Sequence, residues 1–207
     1  MPLSIDRVEA GLAYWRSAGW NPDLHNDFYA NHAAWLLPVD GQFDDQWWER
    51  IWPVLQAWSA NRRGGTRAAM TARARSQYRG LRSAWSHGVA PRLSSDIATV
   101  DWADVADFTA HAKAIKGVAS PVFTSKLCHF LAPRIFPVVD NQAMGNPFRT
   151  YEGYFCAARA LWLGTDDSTR SALCDGIARQ VGPDLSPAFP MACKLVELHC
   201  IGLRHPG

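Results

Sequence analysis

Ala114-Ile-Lys-Gly-Val-Ala-Ser-Pro-Val-Phe-Thr-Ser-Lys-Leu-Cys-His-Phe-Leu-Ala-Pro-Arg-Ile-Phe-Pro-Val-Val-Asp140 is the stretch that decides how this chain reads. It divides into a helix ending, a glycine turn, a second helix and an extended lead-in to one aspartate. Gly117-Val-Ala makes the turn. Ser120 is placed to cap the next helix, and Pro121 takes the first helical position, where a missing N–H costs nothing. Phe123, Leu127, Phe130 and Leu131 give that helix its apolar face. Upstream, Asp101 is placed to cap a helix over Trp102–Lys116, with Val105, Phe108, Ala112 and Ile115 as its buried stripe.

Working outward, the same helical period recurs. Ser4 can cap a helix to Ser17 carrying Ile5, Val8, Leu12 and Trp15 on one face. Residues 21–40 read as loop with a short helix. Residues 46–60 form a helix that Pro53 should bend or restart. The connection 61–66 leads into an Arg- and Ala-rich helix over 66–85. Three further helices are predicted at 148–164, Asp167–Val181 and 187–202. There is no internal repeat and no convincing run of strands, so the expected fold is all-α. The 207 residues are expected to form one compact helical domain, with lobes at 1–95 and 96–207 as its natural subdivision.

Composition narrows the function classes. Net charge is only +2, but the charges are unevenly placed. Residues 51–95 contain no Asp or Glu and eight Arg: Arg62, Arg63, Arg67, Arg73, Arg75, Arg79, Arg82 and Arg92. Such asymmetry suggests a polyanionic partner. Arg67, Arg75, Arg79 and Arg82 share a broad helical face able to neutralise phosphates, or simply to keep the surface soluble. The five cysteines form no CxxC pair, which favours buried thiols in a reducing cytoplasm over a disulfide framework. Neither a secretory leader nor a membrane span is recognisable. No zinc spacing or phosphate-binding Walker loop occurs, so neither metal nor cofactor is expected. Most of the ten tryptophans must be core, with one or two available to stack on a base.

The hairpin and aspartate together resemble the helix-hairpin-helix DNA glycosylase superfamily, in particular its 8-oxoguanine glycosylase-like branch and that branch's small bacterial members. That family's pattern is Leu-Pro-Gly-Val-Gly-x-Lys, a helix, then Pro-Val-Asp. This chain has Ile115-Lys-Gly-Val-Ala-Ser-Pro121, a helix, then Pro137-Val-Val-Asp140, and the likeness covers about a fifth of its length. The resemblance implies a glycosylase-like bundle that binds double-stranded DNA with one nucleotide flipped out, and no obligate protein partner. It also implies that Asp140 stabilises positive charge developing on the deoxyribose and orients or deprotonates water. The position of the family's Schiff-base lysine is Pro121, which has no amine. Lys126, five residues on, starts roughly 140° around the helix. The implied activity is therefore monofunctional base excision, serving repair or defence against phage DNA carrying modified bases. The family's iron–sulfur cysteines have no counterpart around Cys193 and Cys200.

Each candidate also has a plainer structural role. Asp140 could only cap the helix that follows. The segment Lys116, Gly117, Val118, Ala119 and Ser120 would offer backbone N–H groups to a DNA phosphate, or be an ordinary helical hairpin. Ala119 stands where the family has a second glycine, and its methyl group narrows the approach. Lys126 and His129 lie three apart and could assist the leaving base, or be a solvent-facing lysine and a structural histidine. Asn141 and Gln142 could position water or touch the base, or be solvated first-turn residues. A non-catalytic DNA-binding protein that kept the hairpin and basic helix is the rival to the enzyme.

Overall fold

The computed structural model describes residues 2–206 except 32, 63, 64, 119, 146 and 147. Its elements are α1 (Ile5–Ser17), α2 (Asn26–Asn31), α3 (Ala33–Leu36), α4 (Asp45–Ala57), α5 (Arg67–Ala84), α6 (Trp102–Lys116), α7 (Pro121–Leu131), α8 (Asn141–Met144), α9 (Tyr151–Leu163), α10 (Asp167–Val181) and α11 (Met191–Arg204). Among the described residues there is no strand, and the fold is all-α. No described helix is long and apolar enough to cross a membrane.

Local signals explain most boundaries. Asp44, Thr66, Thr150 and Asp166 each accept a backbone N–H from the first turn of α4, α5, α9 and α10. Ser4 and Ser120 occupy the predicted cap positions, but their side chains make no capping bond. α6 ends in the left-handed Gly117, at φ 73°. The predicted break at Pro53 does not occur, and α4 runs through it to Ala57. Pro53 is exposed, so the carbonyl it leaves unpaired lies on the solvent side. α5 continues beyond Ala84 into one π-helical turn at Trp85–Val89.

Buried side chains form one core from Leu3 to Ile201, including Trp15, Trp47, Trp48, Phe108, Phe130, Phe136 and Phe155. Contacts do not follow the expected division at 95/96, because α1 packs on α11 and joins the second half of the chain. Cys128, Cys193 and Cys200 are buried thiols as expected, whereas Cys156 is exposed and Cys174 half-buried.

The α1–α11 crossing relies on two glycines. A Cβ on Gly11 would lie 2.0 Å from the Leu198 carbonyl oxygen, and one on Gly202 would lie 1.9 Å from that of Arg7. Backbone cannot yield as a side chain would. Gly11→Ala or Gly202→Ala should therefore lower stability by about 1–3 kcal/mol or more. Gly176→Ala in α10, where nothing lies within 4 Å, should instead raise it by about 0.5–1 kcal/mol. Urea denaturation of the three variants checks both directions.

Candidate functional site

Asp140 ends the extended lead-in and starts α8. That lead-in is held by the Ser125 hydroxyl, which accepts the Val139 N–H at 3.0 Å. The two carboxylate oxygens of Asp140 have separate partners. Oδ1 accepts from the N–H groups of Gln142 and Ala143, at 2.9 and 3.2 Å, and so caps α8. Oδ2 faces the Lys126 ammonium at 3.4 Å. Capping and an ion-paired second oxygen are thus not alternatives. The aspartate side chain retains 25% of its exposure and lines a cavity of about 680 Å³.

Lys126 reaches that cavity despite its register. Val122 and Lys126 are one helical turn apart and line it together, while Pro121 borders a separate cavity beside Lys113 and Arg149. The long arm of Lys126 thus brings an amine to the aspartate from a face that the family's lysine does not use. Its ammonium also donates to the Trp58 carbonyl at 2.8 Å, at the end of α4.

Lys116 is expected to offer its backbone to a phosphate, and its side chain is committed inside the protein. Its side chain is buried, donating to the carbonyls of Ala60 at 2.9 Å and Arg62 at 2.5 Å, with Phe123 beneath the ammonium. Burial, then the Arg73 charge, pull its pKa down to about 8. Burial and the two carbonyl partners keep this ammonium away from the surface. Arg73 braces the turn from outside, donating to the carbonyls of Ile115 and Lys116 at 2.8 and 3.1 Å. Gly117 and Val118 are exposed, Ser120 lines both cavities, and Ala119 lies outside the described residues.

His129 does not line the cavity. It is 1% exposed, with Nδ1 2.7 Å from the Phe136 carbonyl and Nε2 2.9 Å from the Tyr29 hydroxyl. Burial, then the Lys194 charge, pull its pKa down to about 3, so the ring is neutral at physiological pH. A carbonyl only accepts, so Nδ1 carries the proton and Nε2 accepts from Tyr29. Asn141 and Gln142 both line the cavity, the first half-buried with an Oδ1 that has no partner among the described residues, the second exposed.

The basic face is weaker than its composition promised. Arg75 makes a two-pronged pair with Asp45, at 2.9 and 2.7 Å, and Arg67 pairs with Glu49 while lying over Trp52. The acid-free window is acid-free only along the chain, because α4 brings the acids just before it alongside α5. Arg79 and Arg82 are exposed and make no ion pair among the described residues.

Several wall residues had no signal in the sequence. Trp15, Trp20, Trp58 and His25 form an aromatic side, with His25 4.4 Å from Trp58 and 5.2 Å from Trp15 between ring centroids. Glu197 of α11 adds a second carboxylate, paired with Lys194 at 2.6 Å. Only the abundance of tryptophan pointed here, without saying which would leave the core. Among the described residues, no group of three His, Cys, Asp or Glu is placed to hold a metal ion. Compared with known proteins, the chain matches no family model, no curated protein and no solved structure.

His25 resembles His129 in charge state, with its pKa pulled down to about 3 by burial first, then by Lys194, His129 and Lys126. Unfolded histidine titrates near 6.5, so between pH 6.5 and 3 the unfolded chain binds more protons than the folded one. Stability from these two groups is complete above pH 6.5 and is lost as pH falls toward 3. Thermal midpoints should drop across that window. His129→Gln, which cannot protonate, should lower the midpoint at pH 7 yet flatten part of the acid slope.

Proposed function

We propose that this chain is a monofunctional DNA N-glycosylase with Asp140 as its catalytic carboxylate, built on a helix-hairpin-helix glycosylase-like fold. The observation that carries this reading is the placement of Asp140 on a cavity with an aromatic side while one of its oxygens is fixed by α8. A glycosidic bond inside a duplex is unreachable, so the nucleotide must leave the stack and enter such a cavity. Loss of the base leaves oxocarbenium-like charge on the sugar. A rotationally fixed carboxylate beside that carbon stabilises the charge without reorganising, and it orients or deprotonates the attacking water. Indole faces provide stacking to replace what the base loses. The exposed Gly117–Val118 turn, Ser120, Arg79 and Arg82 remain to hold phosphates. The substrate is a damaged base in repair or a modified base in phage DNA.

A second reading has support from one distance. The Lys126 ammonium lies 3.4 Å from Asp140, where a lysine nucleophile would be needed for strand cleavage through an imine. Its partners, a carbonyl and a carboxylate, are both acceptors, and donation alone explains its position. In the monofunctional reading it holds Oδ2 in place. The other rival is a non-catalytic DNA-binding protein.

Asp140→Asn separates these readings, because asparagine caps a helix about as well as aspartate does and should preserve α8. Base release from DNA, including phage DNA with modified cytosines, should fall by about 100-fold or more, while affinity for DNA changes little. Unchanged release would remove Asp140 as catalyst, and no release by the wild type from any DNA would favour the binding protein. Borohydride should trap no covalent DNA adduct, and an adduct lost in Lys126→Ala would establish the lyase.

A further inference from the structure

The ring of His25 stands in the space between two indoles of the cavity wall. Its centroid lies 4.4 Å from that of Trp58 and 5.2 Å from that of Trp15. Both indoles are held from outside. Trp15 is 2% exposed and its Nε1 donates to the Asn21 carbonyl at 2.8 Å, while Trp58 packs against Phe28 and Phe130 at 5.5 and 4.9 Å between centroids. The ring between them is not held in that way. Among the described residues neither nitrogen of His25 has a hydrogen-bond partner, and Nδ1 is buried. His129, in the core, is the contrast, with both of its nitrogens bonded.

The backbone around His25 is both strained and anchored. Leu24 and His25 are left-handed, at φ 56° and 68°, a region that residues with side chains enter only where contacts enforce it. Leu24 is fully buried, and its N–H donates to the Asn21 carbonyl at 3.2 Å. On the other side the Asn26 side chain donates to the Asp184 carbonyl at 3.0 Å and accepts the Ser186 N–H at 2.8 Å. The loop is thus fixed at the cost of strain, and what it delivers to the cavity is a ring secured by contacts with other rings. Such contacts are weak individually, and a buried nitrogen without a partner offsets part of them. Side-chain rotation toward the open part of the cavity hydrates Nδ1 and leaves the backbone where it is.

We infer that His25 is a displaceable occupant of the base slot: its ring fills the space between Trp15 and Trp58 in the free protein, and an everted base takes that space when the ring swings out. The inference rests on the base-flipping reading above. An imidazole is itself a flat nitrogen heterocycle, so walls that accept it suit the heteroaromatic ring of a nucleobase. The space continues into a cavity of about 680 Å³, within the roughly 300–1,000 Å³ of small-ligand clefts, so a ring larger than imidazole has room. A protein whose slot is closed most of the time binds with an affinity reduced by the open fraction. The plug therefore favours ligands whose stacking offsets its displacement. Between encounters the same ring keeps two indole faces covered.

Proton NMR of the full chain follows the ring directly. The His25 ring protons, assigned by their loss in His25→Phe, should be displaced from ordinary histidine positions by the two indoles in the free protein. A duplex with one base opposite a tetrahydrofuran abasic analogue presents that base unpaired, and adding it should return the signals to ordinary positions. A fully paired duplex should leave them displaced. Affinities follow from the fluorescence anisotropy of labelled DNA. His25→Gly suits the left-handed backbone and removes the plug, so it should bind the unpaired-base duplex about tenfold tighter than the wild type does, with the paired duplex unchanged. His25→Phe, a ring with no nitrogen to hydrate, should bind the unpaired-base duplex more weakly. Should His25→Gly fold poorly, the wild-type signals and His25→Phe still decide. Signals that stay displaced while the unpaired-base duplex binds tighter than the paired one overturn the inference and leave base flipping intact. Ordinary His25 positions in the free protein overturn it as well, and so does a folded variant of either kind whose affinity fails to move in the stated direction. No preference for the unpaired base in the wild type and in His25→Gly alike overturns base flipping itself.

Discussion

The turn that follows α4 leaves carbonyl groups outside any helix, and two lysines from other helices donate to them. Lys126 of α7 donates to Trp58, and Lys116 at the end of α6 donates to Ala60 and Arg62. Cations at a helix C-terminus also interact favourably with its dipole. Each charge-assisted bond contributes about 1.5–3 kcal/mol against the cost of removing an ammonium from water. The geometric consequence matters more than the net energy. These bonds fix the hairpin made by α6 and α7 against the end of α4, and the cavity opens along that seam. Arg73 completes the arrangement by bonding the last carbonyls of α6, so the same hairpin is held from both sides.

Asp140 depends on this seam. Lys126 can hold Oδ2 only because its arm already lies along the end of α4, and Oδ1 is committed to α8. A carboxylate with both oxygens engaged has little rotational freedom to lose when a substrate arrives. In the proposed excision, that preorganisation is what electrostatic stabilisation of a developing cation requires. Lysine at 126 therefore has a positioning role whether or not it takes part in chemistry.

The helices were legible in the sequence because periodicity and caps are local. α6 and α10 have the predicted bounds, and the Gly117 turn and the start of α7 lie where glycine and proline placed them. Asp140 was legible because a helix start and a Pro-Val-Val-Asp run are short-range patterns. What failed was everything requiring knowledge of a distant partner. Lys116 reads as part of a phosphate-binding turn, and nothing signals its buried side chain until the segment after α4 is placed beside it. Arg67 and Arg75 read as unpaired until α4 brings up Glu49 and Asp45. His129 shares a helix with Lys126 yet faces Tyr29, a hundred residues earlier. Glu197 and His25 had no signal at all, since neither sits in a motif and their meeting depends on α1 and α11 closing the chain.

Some of the features that cost free energy lie around one cavity. Of the four non-glycine residues with positive φ among those described, His25 and Ser59 line it and Leu24 precedes His25. Such conformations cost on the order of 1–3 kcal/mol each and persist only where surrounding contacts enforce them. The Lys194–Glu197 pair adds two buried charges, and the His25 Nδ1 and Asn141 Oδ1 atoms are buried without partners. Elsewhere Trp47 Nε1 and the Tyr154 hydroxyl are also buried without partners among the described residues, beside capped helices, a continuous aromatic core and a backbone crossing close enough to require Gly11 and Gly202. A domain with a net stability of roughly 5–15 kcal/mol can carry these unfavourable terms only if the rest of the structure is well consolidated. The part of that cost that falls on the Asp140 cavity is the strained backbone at His25 and Ser59.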